Sequence, residues 1–258
     1  MIRNGMNGAV LTWLALSLIG CGTAAVKPDA AVGERAQISQ QVIALIAHGA
    51  DVRDEQGRTP LMVAAQQNDS ELVGLLIAKG ARVDDADTNG LTPLMYAARN
   101  GHMAIVQVLI AHGAALQAET NNGVTPLIMA AARGQADVVK LLLQQDLDVN
   151  AATKLGDTAL MLAALYGQTE TVNLLLSRGA QIEARDSNGL TALMMAADGG
   201  HSQVVQALIA HGANVHAETR DGISAMAFAQ EKGYSEIVEL LRQAGANERP
   251  GFGGSTTA

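Results

Sequence analysis

A nine-residue pattern returns six times in this chain at an unvarying interval of 33 residues, beginning at Gly57 and ending with the copy at Gly222. The copies read GRTPLMVAA, GLTPLMYAA, GVTPLIMAA, GDTALMLAA, GLTALMMAA and GISAMAFAQ, with no insertion or deletion between them. A fixed period of this length is typical of solenoids, whose units bury their apolar faces only against neighbouring units. The period therefore predicts one curved stack of repeats with a cap at each end.

Each unit predicts two short helices and a hairpin-like tip. Thr59 can cap a first helix through its hydroxyl, and Pro60 suits the first helical turn, where no N–H donor is needed. Gly101 marks the end of such a helix, because glycine tolerates the left-handed conformation. Turn pairs such as Asn89-Gly90 then predict a tight tip before the next unit.

The period and the Gly-x-Thr-Pro-Leu opening resemble the ankyrin repeat over roughly residues 37 to 247. The resemblance implies an all-α, ankyrin-repeat solenoid of stacked helix-turn-helix units with hairpin-like loops. It implies six full repeats plus an N-terminal half-repeat cap at residues 37–53. The repeats would occupy residues 54–86, 87–119, 120–152, 153–185, 186–218 and 219–247, the last serving as the C-terminal cap.

One position departs from the family pattern. The histidine that usually follows Thr-Pro-Leu, and that ties neighbouring loops together by hydrogen bonds, is absent from all six copies. The residues in its place are Met62, Met95, Ile128, Met161, Met194 and Ala227. This substitution predicts apolar packing in place of a polar network.

The N-terminal segment indicates export. Residues 1–20 combine Arg3 with an apolar run that is too short to span a bilayer and suits a secretory signal peptide. The run ends in LIGC, which resembles the lipobox of bacterial lipoproteins and implies acylation of Cys21, the only cysteine. A small buried thiol is the alternative. Residues 21–36 would then form a flexible tether, and residues 248–258 a disordered tail. By resemblance, Gly22 favours the outer membrane, facing the periplasm.

Composition and motifs argue against several functions. The net charge is −8 and aromatic residues make up 2 %, which disfavours nucleic-acid binding. The sequence contains no phosphate-binding loop and no His-Glu-x-x-His zinc pair, so we expect no enzyme activity, no cofactor and no metal. We expect a monomer whose only membrane contact is the lipid anchor.

The tetrapeptide AHGA occurs three times and places His48, His112 and His211 in matching surroundings. Helices stack about 8–10 Å apart, so His48 and His112, two repeats apart, cannot share one metal ion. Lys79 and Arg178 occupy the equivalent position in other repeats. Cationic residues suit a helix C-terminus, where the dipole is negative. His102 and His201, in the Gly-His position common in ankyrin repeats, are interpreted as structural.

Partners of ankyrin repeats usually meet the concave side, formed by the tips and the exposed face of each first helix. The fourth repeat differs from the others there, because apolar side chains replace polar or small ones. An aromatic and two leucines edged by charges are typical of a binding hot spot. The predicted partner-binding residues are Arg99, Asn100, Arg133, Lys154, Leu155, Asp157, Leu165, Tyr166 and Asp198. The alternative is that Leu165 and Tyr166 pack against the next repeat.

These observations give one main hypothesis and two others. The main one is a lipid-anchored, non-catalytic scaffold in the bacterial cell envelope that binds a protein partner and supports or protects an envelope enzyme, as is thought of some exported bacterial ankyrin proteins. The second is an immunity or inhibitor protein that neutralises a toxin or enzyme through the same face. The third is an enzyme with an unrecognised site.

Overall fold

The computed structural model describes residues 52–246, which form twelve helices arranged as six pairs. The first helices of the pairs are α1 (Pro60–Gln67), α3 (Pro93–Asn100), α5 (Pro126–Ala132), α7 (Ala159–Leu165), α9 (Ala192–Gly199) and α11 (Ala225–Lys232). The second helices are α2 (Ser70–Ala78), α4 (Met103–Ala111), α6 (Ala136–Leu143), α8 (Thr169–Ser177), α10 (Ser202–Ala210) and α12 (Ser235–Gln243). Within residues 52–246 there is no strand beyond two isolated bridges, which confirms the predicted all-α solenoid.

Every first helix begins directly after a hydroxyl residue, as predicted for the helix after Thr59. The capping side chain accepts a hydrogen bond from the backbone N–H three residues later. The caps are Thr59, Thr92, Thr125, Thr158, Thr191 and Ser224. Each such cap contributes about 1 kcal/mol to helix stability.

The first helices form the inner row of the stack. They pack against one another much more closely than the second helices do, and alanine pairs such as Ala97 and Ala98, both fully buried, permit this approach. A stack whose inner row is more closely spaced curves towards that row. We therefore call the exposed side of the first helices, together with the tips before them, the concave surface.

Each tip is closed by a side chain and joined to the next tip. In the second repeat, Asp87 Oδ1 accepts hydrogen bonds from the backbone N–H groups of Asn89 and Leu91, both at 2.8 Å. The backbone N–H of Asn121 donates to the Asn89 carbonyl at 3.0 Å, and similar bonds continue along the stack. The tips therefore form a continuous hydrogen-bonded row.

A second series of ties joins the end of a first helix to the start of the second helix in the next repeat. His102 Nε2 lies 3.1 Å from the Gln66 carbonyl, Gln135 Nε2 donates to the Arg99 carbonyl at 3.4 Å, and His201 Nε2 lies 2.9 Å from the Leu165 carbonyl. The structural interpretation of His102 and His201 is thus confirmed. His112 of the AHGA tetrapeptide ends α4, and its Nδ1 lies 2.8 Å from the Val108 carbonyl.

The methionines in place of the family histidine are fully buried, but two of them keep a polar contact. The Sδ atom of Met62 accepts the Thr59 backbone N–H at 3.4 Å, and Met161 Sδ accepts that of Thr158 at 3.5 Å. A thioether is a weak acceptor. The predicted apolar packing is therefore supplemented, in two repeats, by a weak hydrogen bond within the repeat.

Several predictions fall on parts of the chain that are not described. These are the signal peptide at 1–20, the tether at 21–36 with Cys21, nearly all of the half-repeat at 37–53, and the tail at 248–258. Among residues 52–246, no helix combines the length and the apolar character needed to cross a bilayer.

Candidate functional site

Leu155 is the most unusual feature of the concave surface. It lies on the fourth tip directly before Gly156, and 43 % of its surface is exposed. The other tips carry a polar residue at this position: Gln56, Asn89, Asn122, Asn188 and Asp221. One other large apolar side chain in the described range is as exposed, Leu75 on the second helix α2.

Leu165 and Tyr166 close α7 and belong partly to the core and partly to the surface. Both pack against buried residues while remaining partly exposed. Burial raises the pKa of the Tyr166 hydroxyl to about 12, although the nearby charge of Arg133 opposes this shift. Tyr166 is therefore protonated at neutral pH and can donate a hydrogen bond. Packing and exposure coexist here, so the two sequence interpretations do not exclude each other.

A small cleft opens beside Tyr166 between α3, α5 and α7. Its floor is apolar, and it is lined by Arg99, Val124, Ile128, Met129, Ala132, Arg133, Leu162 and Tyr166. The cleft exists because Ala132 stands where the other repeats carry Gln66, Arg99, Leu165, Asp198 and Glu231. We call it the Ala132 cleft. Its volume of about 10 Å³ has room for roughly one water-sized group.

Two arginines lie at the Ala132 cleft, and a lysine lies on the fourth tip. Arg99 and Arg133 line the cleft, and Lys154 is exposed on the tip next to Leu155. We call these three residues the cationic rim. Within the described residues, Arg133 and Lys154 make no ion pair. The exposed residues of the second, third and fourth tips, and of α3, α5 and α7, include no carboxylate.

One predicted site residue is buried, and another is engaged in an ion pair. Asp157 is only 2 % exposed, and its Oδ2 accepts a hydrogen bond from the Thr153 hydroxyl at 3.1 Å. Expecting it at an exposed position was wrong, because the residue after this tip glycine turns inward, as Val124 and Leu190 do in the repeats on either side. Asp198 forms an ion pair with Lys232 at 3.5 Å and does not line the cleft.

Two other predicted residues contribute to the stack as well as to its surface. Asn100 is exposed, and its Nδ2 donates to the Gln66 carbonyl of the preceding repeat at 3.4 Å. Arg99 accepts the Gln135 tie through its backbone while its side chain lines the cleft. The apolar series on the first helices is buried, as expected of scaffold residues: Tyr96, Met129, Leu162, Met195 and Phe228.

The groups that line the Ala132 cleft are suited to binding. In residues 52–246, no three His, Cys, Asp or Glu side chains are placed to hold a metal ion. The Ala132 cleft is too small to enclose a substrate molecule, since ligand sites typically hold about 300–1,000 Å³. What it presents is an apolar depression, a phenol hydroxyl and cationic side chains.

Comparison with known proteins agrees with this architecture. A family model described as ankyrin repeats (3 copies) matches residues 30–120, 113–186 and 160–249, which together span most of the chain. The chain belongs to the ankyrin-repeat family. Ankyrin repeats are generally non-catalytic interaction scaffolds that bind protein partners.

One curated protein is similar to part of this ankyrin chain. It is named "Zygote-specific protein 3", from Chlamydomonas reinhardtii, and it is 39 % identical over 94 residues. The match covers 33 % of this chain and 25 % of that protein, so the chain spans about a quarter of its relative's length. Such a local match supports the repeat architecture without transferring a role.

Sequence reasoning found the exposed leucine of this ankyrin stack but missed the cleft. Leu155 departs visibly from a polar column of tip residues. The sequence also contains an indication of the cleft, because Ala132 is smaller than the residue at the equivalent position of every other repeat. Its effect depends on how closely α3 and α7 approach α5, which the alignment of repeats does not report.

Proposed function

We propose that this chain is a non-catalytic scaffold that binds a protein partner through the fourth-repeat region of its concave surface. The proposed contact residues are Arg99, Asn100, Arg133, Lys154, Leu155, Leu165 and Tyr166. The main supporting observation is that Leu155 is exposed at a tip position where the other repeats carry polar residues. Exposed apolar and aromatic groups beside arginine match the composition of binding hot spots.

The test compares two exposed leucines. Crosslinking in the native envelope followed by mass spectrometry identifies the partner, and its affinity is then measured with purified chains. Leu155→Asp combined with Tyr166→Ala is expected to weaken binding at least roughly tenfold while the helical circular dichroism signal persists. Leu75→Asp is the matched control, because Leu75 is equally exposed on α2. A folded double variant with unchanged affinity excludes the fourth repeat.

We further propose that the protein resides in the bacterial cell envelope, anchored to the outer membrane through acylated Cys21. The supporting observation is the apolar run that ends at the only cysteine of the chain. Cys21→Ser is expected to move the protein from the membrane fraction to the periplasmic fraction. Continued membrane association of this variant would refute the anchor without affecting the binding proposal.

Within that setting, the proposed role is to support or protect an envelope enzyme. This role is tested by measuring the activity and the active lifetime of the partner enzyme with and without the scaffold. A longer active lifetime on binding supports protection. Loss of the partner's activity on binding instead assigns the immunity or inhibitor role, which uses the same surface.

A further inference from the structure

The charge of the concave surface is opposite to that of the chain. The whole sequence carries a net charge of −8. The exposed and half-buried residues of the second to fourth tips, of α3, α5 and α7, and at the ends of these helices include the cationic rim and no carboxylate. The exposed carboxylates of the same repeats lie instead on the second helices or in the loops after them, at Glu119, Asp137, Asp146, Asp148, Glu170 and Glu183. The binding region is therefore a local basic patch on an acidic protein.

Two cations in this patch are not used to hold the fold. Arg53, Arg58 and Lys232 each pair with a carboxylate of the chain. Arg133 and Lys154, by contrast, make no ion pair within residues 52–246. Charges that no internal carboxylate neutralises are suited to steering and orienting an anionic partner.

The Ala132 cleft adds a steric requirement. Its floor consists of Val124, Ile128, Met129 and Leu162, and its volume of about 10 Å³ admits a group no larger than a methyl. An arginine stands at the rim on each of two successive repeats, at Arg99 and Arg133. A carboxylate beside the entering group would thus meet a guanidinium, whose planar fork suits bidentate carboxylate binding.

We propose that the occupant of this surface is an acidic segment of the partner protein, with a small apolar side chain that enters the Ala132 cleft and flanking carboxylates that bind Arg133 and Lys154. This inference rests on the proposed function and names the chemistry of its partner. Leu155 and Tyr166 provide the apolar contact beside the cleft. Steering by the basic patch makes association faster at low ionic strength.

The probe is a displayed random peptide library selected on the purified full chain, followed by affinity measurements on the enriched peptides. Selected sequences are expected to be rich in Asp and Glu next to Ala, Val or Thr. Raising the ionic strength from about 0.05 M to about 0.5 M should weaken their binding severalfold, because exposed charges are screened.

Three variants separate the two parts of the proposal. Arg133→Glu tests the charge, and Ala132→Leu closes the cleft with the residue that the next repeat carries as Leu165. Arg178→Glu is the matched control, because Arg178 is an exposed residue at the end of α8. The first two are expected to weaken peptide binding about tenfold or more, and the control to leave it unchanged.

The outcomes distinguish this inference from the proposed function. Peptides that lack acidic residues, or that bind Arg133→Glu as tightly as the parent chain, overturn the inference. So does a library that yields no binding sequence. If such peptides still lose affinity for the Leu155→Asp, Tyr166→Ala chain, the proposed function stands without its acidic partner. Peptide binding that is unchanged by all of these substitutions overturns both the inference and the proposed function.

Discussion

The hydroxyl of Tyr96 donates a 2.8 Å hydrogen bond to Asp87 Oδ2, joining the first helix of the second repeat to the base of its own tip. The other oxygen of Asp87 closes the tip through two backbone N–H groups. Burial, aided by this hydrogen bond, raises the pKa of Tyr96, so the donor proton is retained at neutral pH. One side chain thus satisfies the remaining oxygen of a buried carboxylate.

Tyr96→Phe is expected to lower the free energy of unfolding by about 1–3 kcal/mol, because it leaves a buried carboxylate oxygen without its donor. Urea denaturation measures the change. Tyr234→Phe is the control, since no hydrogen bond of its hydroxyl occurs within residues 52–246. The third repeat pairs Thr120 with Met129 at these two positions, so adding Asp87→Thr to Tyr96→Phe should restore part of the loss. An unchanged stability of Tyr96→Phe would contradict this account.

Thr171 occupies a core position of α8 with an unsatisfied hydroxyl. Its side chain is fully buried, and its Oγ1 has no hydrogen-bond partner in the described part of the chain. The other repeats carry aliphatic residues there: Leu72, Ile105, Val138, Val204 and Ile237. Thr171→Val should therefore raise the free energy of unfolding by about 1 kcal/mol.

A second threonine calibrates that measurement. Thr158 is also buried, but its hydroxyl caps α7. Thr158→Val should accordingly lower stability by about 1 kcal/mol. Stabilisation by Thr171→Val and destabilisation by Thr158→Val would distinguish an unsatisfied hydroxyl from a hydrogen-bonded one. Destabilisation by both substitutions would show that the Thr171 hydroxyl has a hydrogen-bond partner.

Asp157 makes the stability of the fourth repeat depend on pH. Burial, together with the negative charge of Asp186, raises its pKa in the folded protein, while the Thr153 hydrogen bond lowers it. Because the pKa is higher in the folded protein, protonation of Asp157 stabilises the fold. This stabilisation is complete below the pKa of the unfolded chain, near 3.8, and is lost as the pH rises through the pKa of the folded protein. Ionised Asp157 is therefore destabilising at neutral pH.

Asp157→Asn keeps an oxygen that can accept the Thr153 hydrogen bond but carries no charge. It should raise the free energy of unfolding at pH 7 by about 1 kcal/mol, and this gain should shrink towards zero as the pH approaches 3.8. Asp221→Asn, at an exposed tip residue, is the control. A gain that is the same at pH 4 and pH 7 would assign the effect to packing instead of charge.

Gly123 is required both by its backbone and by its neighbour. Its φ is 78°, and an added Cβ would lie 2.8 Å from the Lys154 backbone nitrogen. Gly113 has a similar φ of 81°, with no atom within 4 Å of an added Cβ. Gly113→Ala should lower stability by about 1 kcal/mol through strain alone, and Gly123→Ala by about 3 kcal/mol. If the two substitutions lowered the stability equally in thermal or urea unfolding, the fourth tip would have moved to accommodate the added Cβ at little cost.

Most of the fold follows from local chemistry that the sequence displays. Thr59 and Pro60 specify how a first helix begins, and Gly101 specifies how one ends, because each acts through its own conformation or hydrogen bonds. Asp146 is the one non-glycine residue after a second helix, and it adopts the same left-handed conformation, with φ 52°. Repetition made these assignments dependable, since the hydroxyl cap occurs in all six copies and the glycine that follows the first helix in five.

The candidate binding surface was harder to predict because it depends on the direction in which each side chain points and on the spacing between neighbouring repeats. Leu155 and Asp157 flank the same tip glycine, yet the first points outward and the second is buried. Residue type alone suggests the opposite arrangement for a leucine and an aspartate. The acceptor role of the Met62 sulfur was also unforeseen, because a thioether is ordinarily read as an apolar group.

The ties between neighbouring units have a consequence for how this protein can change. Tip bonds join residues 32 apart, and the Gln135 and His201 ties join residues 36 apart. An insertion or deletion within a tip or a first helix would shift both series against the neighbouring repeat, whereas a change by whole repeats of 33 residues keeps both in register. Removing a whole unit from residues 54–86 or 219–247 would leave Arg133 and Tyr166 one unit apart. Evolution or engineering can therefore lengthen and shorten the stack in whole repeats while the proposed binding patch keeps its dimensions.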